Sequence, residues 1–398
     1  MLQPDLPELR LKHNEDRRLS AGHLWVFSNE VDTARTPLQN FQAGELCRVV
    51  SDREKFLGFA YINPHSLICA RILGRDAAFV PGKSLIVHRL QVAQSLRRAL
   101  YQQPYYRLIY GESDGLPGLV LDRFGDVIVG QIATAGMEAM REDIEAAVQK
   151  VIAPTAMLWK NDSGARDLEE LPHYEQVAFG ELPEALVVEE GGVRFSVPAS
   201  GGQKTGWFFD QSANRLALRK YVGGARVLDV FSYLGAWGLG ALRAGATEAT
   251  CVDSSATALE ALQANAAANG LKASVLRGDG FDVLESLHAA GRRFDVVVID
   301  PPAFIKRKKD APKGEAAYKR LNLLAMQLLE RDGFLVSCSC SWHLDADSLI
   351  NAIQRAARHL NRFAQIVEVG GQAPDHPIHP AIPESRYLKA FFVRVTAG

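Results

Sequence analysis

In the C-terminal half of the chain, short β-branched runs alternate with longer stretches whose apolar residues recur at helical spacing. Residues 226–230 predict a strand, 237–244 a helix, 249–252 a strand and 255–269 an Ala-rich helix. Residues 275–277 predict a short strand, 294–300 a strand, 318–329 a helix, 333–338 a strand and 391–395 a closing strand. From about Val193 this alternation predicts a mostly parallel, doubly wound α/β sheet.

The N-terminal half has a different rhythm. Runs at 46–50, 56–61 and 67–73 read as strands, separated by Asp52-Arg53-Glu54-Lys55 and Asn63-Pro64-His65-Ser66. Turn signals at this spacing predict a small β-barrel or sandwich over residues 1–75. A helix over 87–101 follows, with Leu90, Ala93, Leu96 and Leu100 on one face. Residues 106–110 and 127–132 read as strands flanking a turn-rich stretch, Gly111-Glu112-Ser113-Asp114-Gly115-Leu116-Pro117-Gly118. A helix over 137–151 aligns Ile144, Val148 and Val151. The expected division is 1–75, a small central α+β domain over 76–190, and the doubly wound domain over 191–398.

Bulk composition narrows the function classes. A chain of 398 residues with 47% hydrophobic and 23% charged residues supports several cores. The formal net charge of −1 gives no global positive field, so any polyanion contact must rest on local basic patches. Five cysteines (Cys47, Cys69, Cys251, Cys338, Cys340) are odd in number and match neither a disulfide framework nor a zinc site, so no metal is expected. The N-terminus lacks a signal-peptide pattern and no apolar run is long enough for a membrane span. A reducing cytoplasm is the expected location, with no membrane partner.

Chemistry concentrates at the ends of the C-terminal strands. Asp300-Pro301-Pro302 ends one apolar run, and Ser337-Cys338-Ser339-Cys340-Ser341 ends another about 40 residues later. In an open parallel sheet, carboxyl ends of strands are where ligands bind. Asp229 lies in the strand before Phe231-Ser232-Tyr233-Leu234-Gly235, Asp253 follows about 24 residues on, and Asp279 ends the next strand. Phe231 and Tyr233 stand where a G-x-G-x-x-G loop would have glycines, which argues against a pyrophosphate cradle. Acids at successive strand ends suit a ligand carrying an amine, a ribose and an exocyclic amino group, as S-adenosylmethionine does. Single acids at such positions also cap helices in any doubly wound protein.

With these residues, the sequence resembles the class I S-adenosylmethionine-dependent methyltransferases. More closely it is similar to the bacterial large-subunit ribosomal RNA methyltransferase I family, which makes 5-methylcytosine in 23S rRNA. Arg17-Arg18-Leu19 through Gly22-His23-Leu24-Trp25-Val26-Phe27, with Gly58-Phe59-Ala60-Tyr61, resembles its N-terminal PUA-type RNA-binding module. The stretch from Gly111 to Leu119 resembles its central domain, and Gly202-Gln203-Lys204-Thr205-Gly206-Trp207-Phe208-Phe209-Asp210-Gln211 its approach to the methyltransferase sheet. The resemblance implies a Rossmann-like C-terminal sheet, S-adenosylmethionine as cofactor and 23S rRNA as partner. It implies that Lys204, Thr205, Phe208, Asp210 and Gln211 border the cofactor, with Pro301 beside it. Asp229, Phe231, Tyr233 and Gly235 would flank its methionine end, Asp253 would hold the ribose and Asp279 the adenine amino group. Asp300 would contact the target base.

Carbon 5 of cytosine is a weak nucleophile. Addition of a thiolate at carbon 6 activates it, which calls for a reactive cysteine. Cys338 and Cys340 share the local pattern Ser-Cys-Ser, and strand alternation puts both on one nominal face. Alignment with the family's next helix favours Cys340, because Asp345 to Asp347 then opens that helix. Ala303 replaces the second cysteine that some RNA cytosine methyltransferases carry after Pro-Pro, so the base for product release is unassigned.

Basic loop residues Lys306-Arg307-Lys308-Lys309, with Lys313, Lys319 and Arg320, form one candidate RNA contact. Arg10, Lys12, His13, Arg17, Arg18 and His23 form another. His376 and His379 fall in a Pro-rich stretch expected as a surface loop. Two further classes stay open: a base methyltransferase acting at guanine N2 or N7 without a thiol, and a non-catalytic RNA-binding or ribosome-assembly protein. The oligomeric state, including a homodimer, is also open.

Overall fold

In the computed structural model, which describes residues 6–199 and 205–398, the C-terminal strands assemble into one seven-stranded sheet. Its strands are β1 (Arg226–Val230), β2 (Glu248–Asp253), β3 (Ser274–Arg277), β4 (Phe294–Ile299), β5 (Leu329–Ser339), β6 (Arg362–Gly371) and β7 (Lys389–Ala397). They lie in the order β3-β2-β1-β4-β5-β7-β6. β1 to β5 pair in parallel, and β7 inserts antiparallel between β5 and β6. Helices α1 (Ala236–Arg243), α2 (Ala256–Ala268), α3 (Gly280–Ala289), α4 (Ala311–Gln327) and α5 (Ala346–His359) provide the crossovers.

The sequence dictates this sheet through two buried faces. Leu228, Val230, Val297, Ile299 and Leu335 pack into one core layer with α4 and α5. The alternate residues Val227, Val296, Val298, Val336 and Cys338 pack into another with Trp237, Ala241 and Phe392. A strand buried on both faces reads as a continuous apolar run. The strand order reverses between β1 and β4, the switch point where open α/β sheets bind ligands at their carboxyl ends.

The chain divides into two compact units. The sheet above belongs to the second unit, which also takes the hairpin of Ala185–Glu190 and Val193–Pro198 for most of its length. The first unit comprises residues 1–186, 198–207 and 375–385. It holds a five-stranded sheet built around the meander Leu46–Val50, Phe56–Ile62 and Ile68–Gly74. It also holds a second five-stranded sheet of Tyr105–Tyr110, Leu119–Phe124, Val127–Ile132, Ala156–Asn161 and Tyr174–Phe179. Tyr61 and Leu73 of the first sheet pack in the same core as Trp159, Ile128 and Leu90, so the two sheets share apolar interior.

Some expected elements change. The helix expected over 137–151 breaks at Met140 into Ala135–Ala139 and Arg141–Val151. α4 starts at Ala311 and ends at Gln327, and Leu329 already belongs to β5. The Pro-rich stretch is no surface loop at its start: Asp375 is 0% and His376 2% exposed. Asp375 Oδ2 accepts from the Arg107 backbone N–H at 2.8 Å, and its carbonyl accepts from Arg97 at 2.7 Å. Hydrogen bonds from the buried Arg97 side chain and from the Arg107 backbone therefore tie this segment into the first unit.

Candidate active site

β1 ends at Val230, and residues 231–235 turn the chain into α1. Phe231 (φ 68°), Tyr233 (φ 48°) and Gly235 (φ 83°) all adopt left-handed backbone. For bulky residues this is a strained conformation that only tertiary bonds sustain. The N–H groups of Phe231 and Ser232 both donate to the Val252 carbonyl at 2.9 Å. The Tyr233 N–H donates to Asp253 Oδ2 at 2.9 Å. Gly280 opens α3 beneath the Phe231 ring, and a Cβ there would lie 2.6 Å from Phe231 Cζ. A loop of rings and backbone, rather than of glycines, thus crowns the strand end.

Asp229 lies at the base of this loop with 0% exposure. Its Oδ2 accepts from the Gly238 N–H at 3.0 Å, while Oδ1 is buried without a hydrogen-bond partner among the described residues. Burial pushes the carboxyl up to about 7, and the charges of Asp300 and Asp253 add to the rise. A buried carboxylate oxygen without a donor is costly, and a ligand cation would remove that cost.

Asp253 and Asp279 end the neighbouring strands. Asp253 accepts from the N–H groups of Tyr233 and Ser255, both at 2.9 Å. Asp279 is exposed and caps α3 through the Phe281 N–H at 2.9 Å. Both acids therefore hold local backbone. A carboxylate offers about four lone-pair sites, so each retains capacity for a ligand donor.

Asp300 follows β4. Its Oδ1 accepts from Gln211 Nε2 at 2.8 Å and its Oδ2 from Trp237 Nε1 at 3.1 Å. Asn214 Nδ2 in turn donates to Gln211 Oε1 at 2.7 Å, fixing that amide's orientation. Desolvation pushes the Asp300 carboxyl up to about 6; the Trp237 hydrogen bond opposes the rise and the Asp210 charge adds to it. Asp210 is buried and accepts from the Tyr387 hydroxyl. Phe208 is half-buried and meets the Tyr233 ring edge-on at 5.6 Å. Pro301 is buried and Pro302 exposed.

The two thiols separate clearly. β5 ends at Ser339, so strand alternation stops before Cys340. Cys338 is 0% exposed inside the apolar layer, and burial holds its thiol well above the ordinary range. Cys340 is partly exposed, with Sγ 3.9 Å from the Pro301 carbonyl oxygen. The turn that presents it is fixed from below. Ser339 Oγ donates to the Tyr318 hydroxyl at 2.9 Å, and that hydroxyl lies 3.0 Å from Ser341 Oγ. Ser341 Oγ also accepts from the Ile305 N–H at 3.2 Å, joining the turn to the segment after Asp300-Pro301-Pro302. A carboxyl poised near neutrality and an accessible thiol therefore stand at adjacent strand ends.

Comparison with known proteins decides the family. Residues 9–75 match a PUA-like domain, and residues 211–340 match the family described as Conserved hypothetical protein 95. The ribosomal RNA large subunit methyltransferase I of Klebsiella pneumoniae is 37% identical over 396 residues, 98% of each chain. The chain belongs to the ribosomal RNA large subunit methyltransferase I family. Two solved structures share its fold over 98% of this chain and all of theirs. One, from Streptococcus mutans and assigned as a SAM-dependent methyltransferase, has a TM-score of 0.81 at 21% identity. The other, assigned as a methyltransferase and complexed with SAH, has a TM-score of 0.83 at 20% identity.

Within this family member, the remaining expected residues fall variously. Lys204 lies outside the described residues. Thr205 is fully buried in the first unit, where its hydroxyl donates to Asp122 at 2.5 Å. Lys306, Arg307, Lys308 and Lys309 are all exposed. Arg320 is engaged with Glu285 at 2.7 Å and lies over the Phe281 ring. In the first unit, Arg10 contacts Glu54, His13 contacts Asp52 and Arg18 contacts Glu30, so half of that expected RNA patch faces carboxylates. Trp237, Tyr318 and Tyr387 were not expected in the site. Trp237 read only as the start of a helix, and the two tyrosines gave no local signal.

Proposed function

We propose that this chain methylates carbon 5 of a cytosine in 23S ribosomal RNA through a covalent adduct between Cys340 and carbon 6. S-adenosylmethionine fits the residues present and supplies the methyl group as a sulfonium electrophile. Asp229 Oδ1, buried and lacking a donor, would take the ammonium of its methionine end. Phe231, Tyr233 and Gly235 would border it, with Phe208, Asp210, Gln211 and Pro301 nearby. Asp253 and Asp279 would accept from the ribose and the adenine amino group.

The observation that carries the reading is the pairing of a partly exposed thiol at the end of β5 with Asp300 at the end of β4. The Cys340 thiolate adds to carbon 6, and carbon 5 becomes an enamine-like nucleophile. Asp300 exchanges a proton with the ring nitrogen as charge develops there, a task suited to a carboxyl held near 6. The exposed run Lys306 to Lys309 follows Asp300 by only a few residues and would hold phosphates around an extruded base. No helix among the described residues is long and apolar enough to cross a membrane, and the reading assigns the reaction to the cytoplasm.

Nucleoside mass mapping of 23S rRNA incubated with the protein and cofactor tests this reading. It should find 5-methylcytosine at one site. Methylation confined to guanine would overturn it.

A further inference from the structure

Lys389 opens β7 directly opposite Ser339, the last residue of β5. Opposed residues of an antiparallel pair share a face. The lysine stem therefore leaves the sheet beside Ser339, away from the layer that buries Cys338. Its Nζ then reaches over the strand end and donates to the Ser341 carbonyl at 2.6 Å. Cys340 sits between the two residues that this one lysine engages, Ser339 by strand pairing and Ser341 by its ammonium. Among the described residues it forms no ion pair within 4.0 Å, and Asp345 is the acid that acts on its charge.

We propose that Lys389 is a positioning residue for methyl transfer: its ammonium, latched to the Ser341 carbonyl, holds Cys340 as the thiolate that adds to carbon 6. The inference rests on the reading of Cys340 as the nucleophile. A cation beside a cysteine favours the thiolate, the form that reacts. The latch holds the charge at the turn through a neutral carbonyl, so that it stands beside the thiol as well as Asp345.

The groups facing Lys389 bear on its charge. Burial lowers its ammonium to about 8, Cys340 and Asp345 act in the opposite direction, and Arg386 adds to the lowering. It therefore keeps its proton at neutral pH. In the step itself, the Cys340 thiol gives its proton to solvent and the ammonium keeps all of its own. The sulfur electron pair forms the bond to carbon 6 as the C5=C6 pair moves to C4=C5. The C4=N3 pair moves to N3, which takes a proton from Asp300. Carbon 5 would then take the methyl group that S-adenosylmethionine supplies, and N3 would return its proton to Asp300. Loss of the carbon-5 proton to water re-forms C5=C6 and expels the thiolate, which the same ammonium stabilises; a thiol of lower pKa leaves faster.

The test reads the thiol without requiring turnover. The full-length protein is alkylated with iodoacetamide from pH 5.5 to 10, and the label on Cys340 is located by fragment mass spectrometry. Lys389→Met should move the midpoint of the rate profile up by about one unit, which lowers alkylation at pH 7 about tenfold. Lys389→Arg, which keeps the charge, should restore most of the wild-type profile. Titration with S-adenosylmethionine confirms that each variant is folded. Identical profiles for wild type and Lys389→Met would overturn the role of Lys389 alone. Retained methylation by Cys340→Ala would instead overturn the underlying assignment of the nucleophile.

Discussion

Trp237 Nε1 donates to Asp300 Oδ2 at 3.1 Å, binding the first turn of α1 to the end of β4. With Gln211 on the other oxygen, the carboxyl is hydrogen-bonded, among the described residues, by two neutral donors and by no cation, while the Arg215 charge acts on it without a bond. That combination orients the group while desolvation keeps its affinity for a proton high. Asp300→Asn preserves the shape and removes the proton exchange. It should bind S-adenosylmethionine within about threefold of wild type and lower kcat by about 10²–10⁴. Steady-state kinetics with an rRNA fragment and a separate cofactor titration check this. A kcat within tenfold of wild type would contradict it.

Asp229 should couple cofactor binding to a proton. In the free protein its carboxyl keeps a proton up to about 7, whereas an unfolded aspartate releases it near ~3.9. Between those values the folded state binds more protons, so the free protein loses stability as pH rises through that window. A cofactor ammonium favours the charged form, so binding at pH 6 should expel close to one proton; at pH 8.5 it should instead take up most of one, because a free α-amino group that titrates near ~7.8 is then largely neutral. Calorimetry in two buffers of different ionisation enthalpy reads this number directly. Asp229→Asn should abolish the proton release and weaken binding by roughly 10- to 100-fold.

The two cysteines should fail in different ways. Cys338→Ser puts a hydroxyl into the apolar layer of Val298, Val336 and Phe392 and should cost about 1–3 kcal/mol of stability. Its methylation rate below the unfolding transition should stay within a few-fold of wild type. Cys340→Ala should leave the denaturant midpoint almost unchanged and abolish methylation. Reversal of these two phenotypes would exchange the roles of the residues.

Gly280→Ala tests the strained loop. The added Cβ would approach Phe231 Cζ to 2.6 Å, and Phe231 already sits at φ 68°. The ring must move, so cofactor affinity should fall by roughly tenfold or more, while a loss of about 1–3 kcal/mol in stability accompanies it. Unchanged affinity would show that Phe231 does not border the cofactor.

The parallel strands and the acids at their ends were legible because burial on both faces writes continuous apolar runs, as in Val296 to Ile299. The strand Ala156–Asn161 was not, since it buries Lys160 and Asn161 completely. β6 was missed for the opposite reason. It is an edge strand with Phe363, Val367 and Val369 exposed and a bulge after Ile366. At the site, the sequence placed Asp300 and both cysteines at strand ends. The local Ser-Cys-Ser pattern does not separate the thiols, because their surroundings differ through where β5 stops and through the contacts Tyr318 makes from another helix. Lys389 was invisible for the same reason: its relation to Cys340 comes from pairing across 50 residues of chain.

The central claim is the covalent adduct, and a 23S rRNA fragment carrying 5-fluorocytosine tests it most directly. Fluorine at carbon 5 blocks release after methyl transfer, so the enzyme should remain bound to the RNA. With S-adenosylmethionine present, wild-type protein should give an RNA-linked species that survives denaturing electrophoresis, and Cys340→Ala should give none. A wild-type protein that methylates normal RNA but forms no such species, or a Cys340→Ala protein that still forms it, would contradict the account.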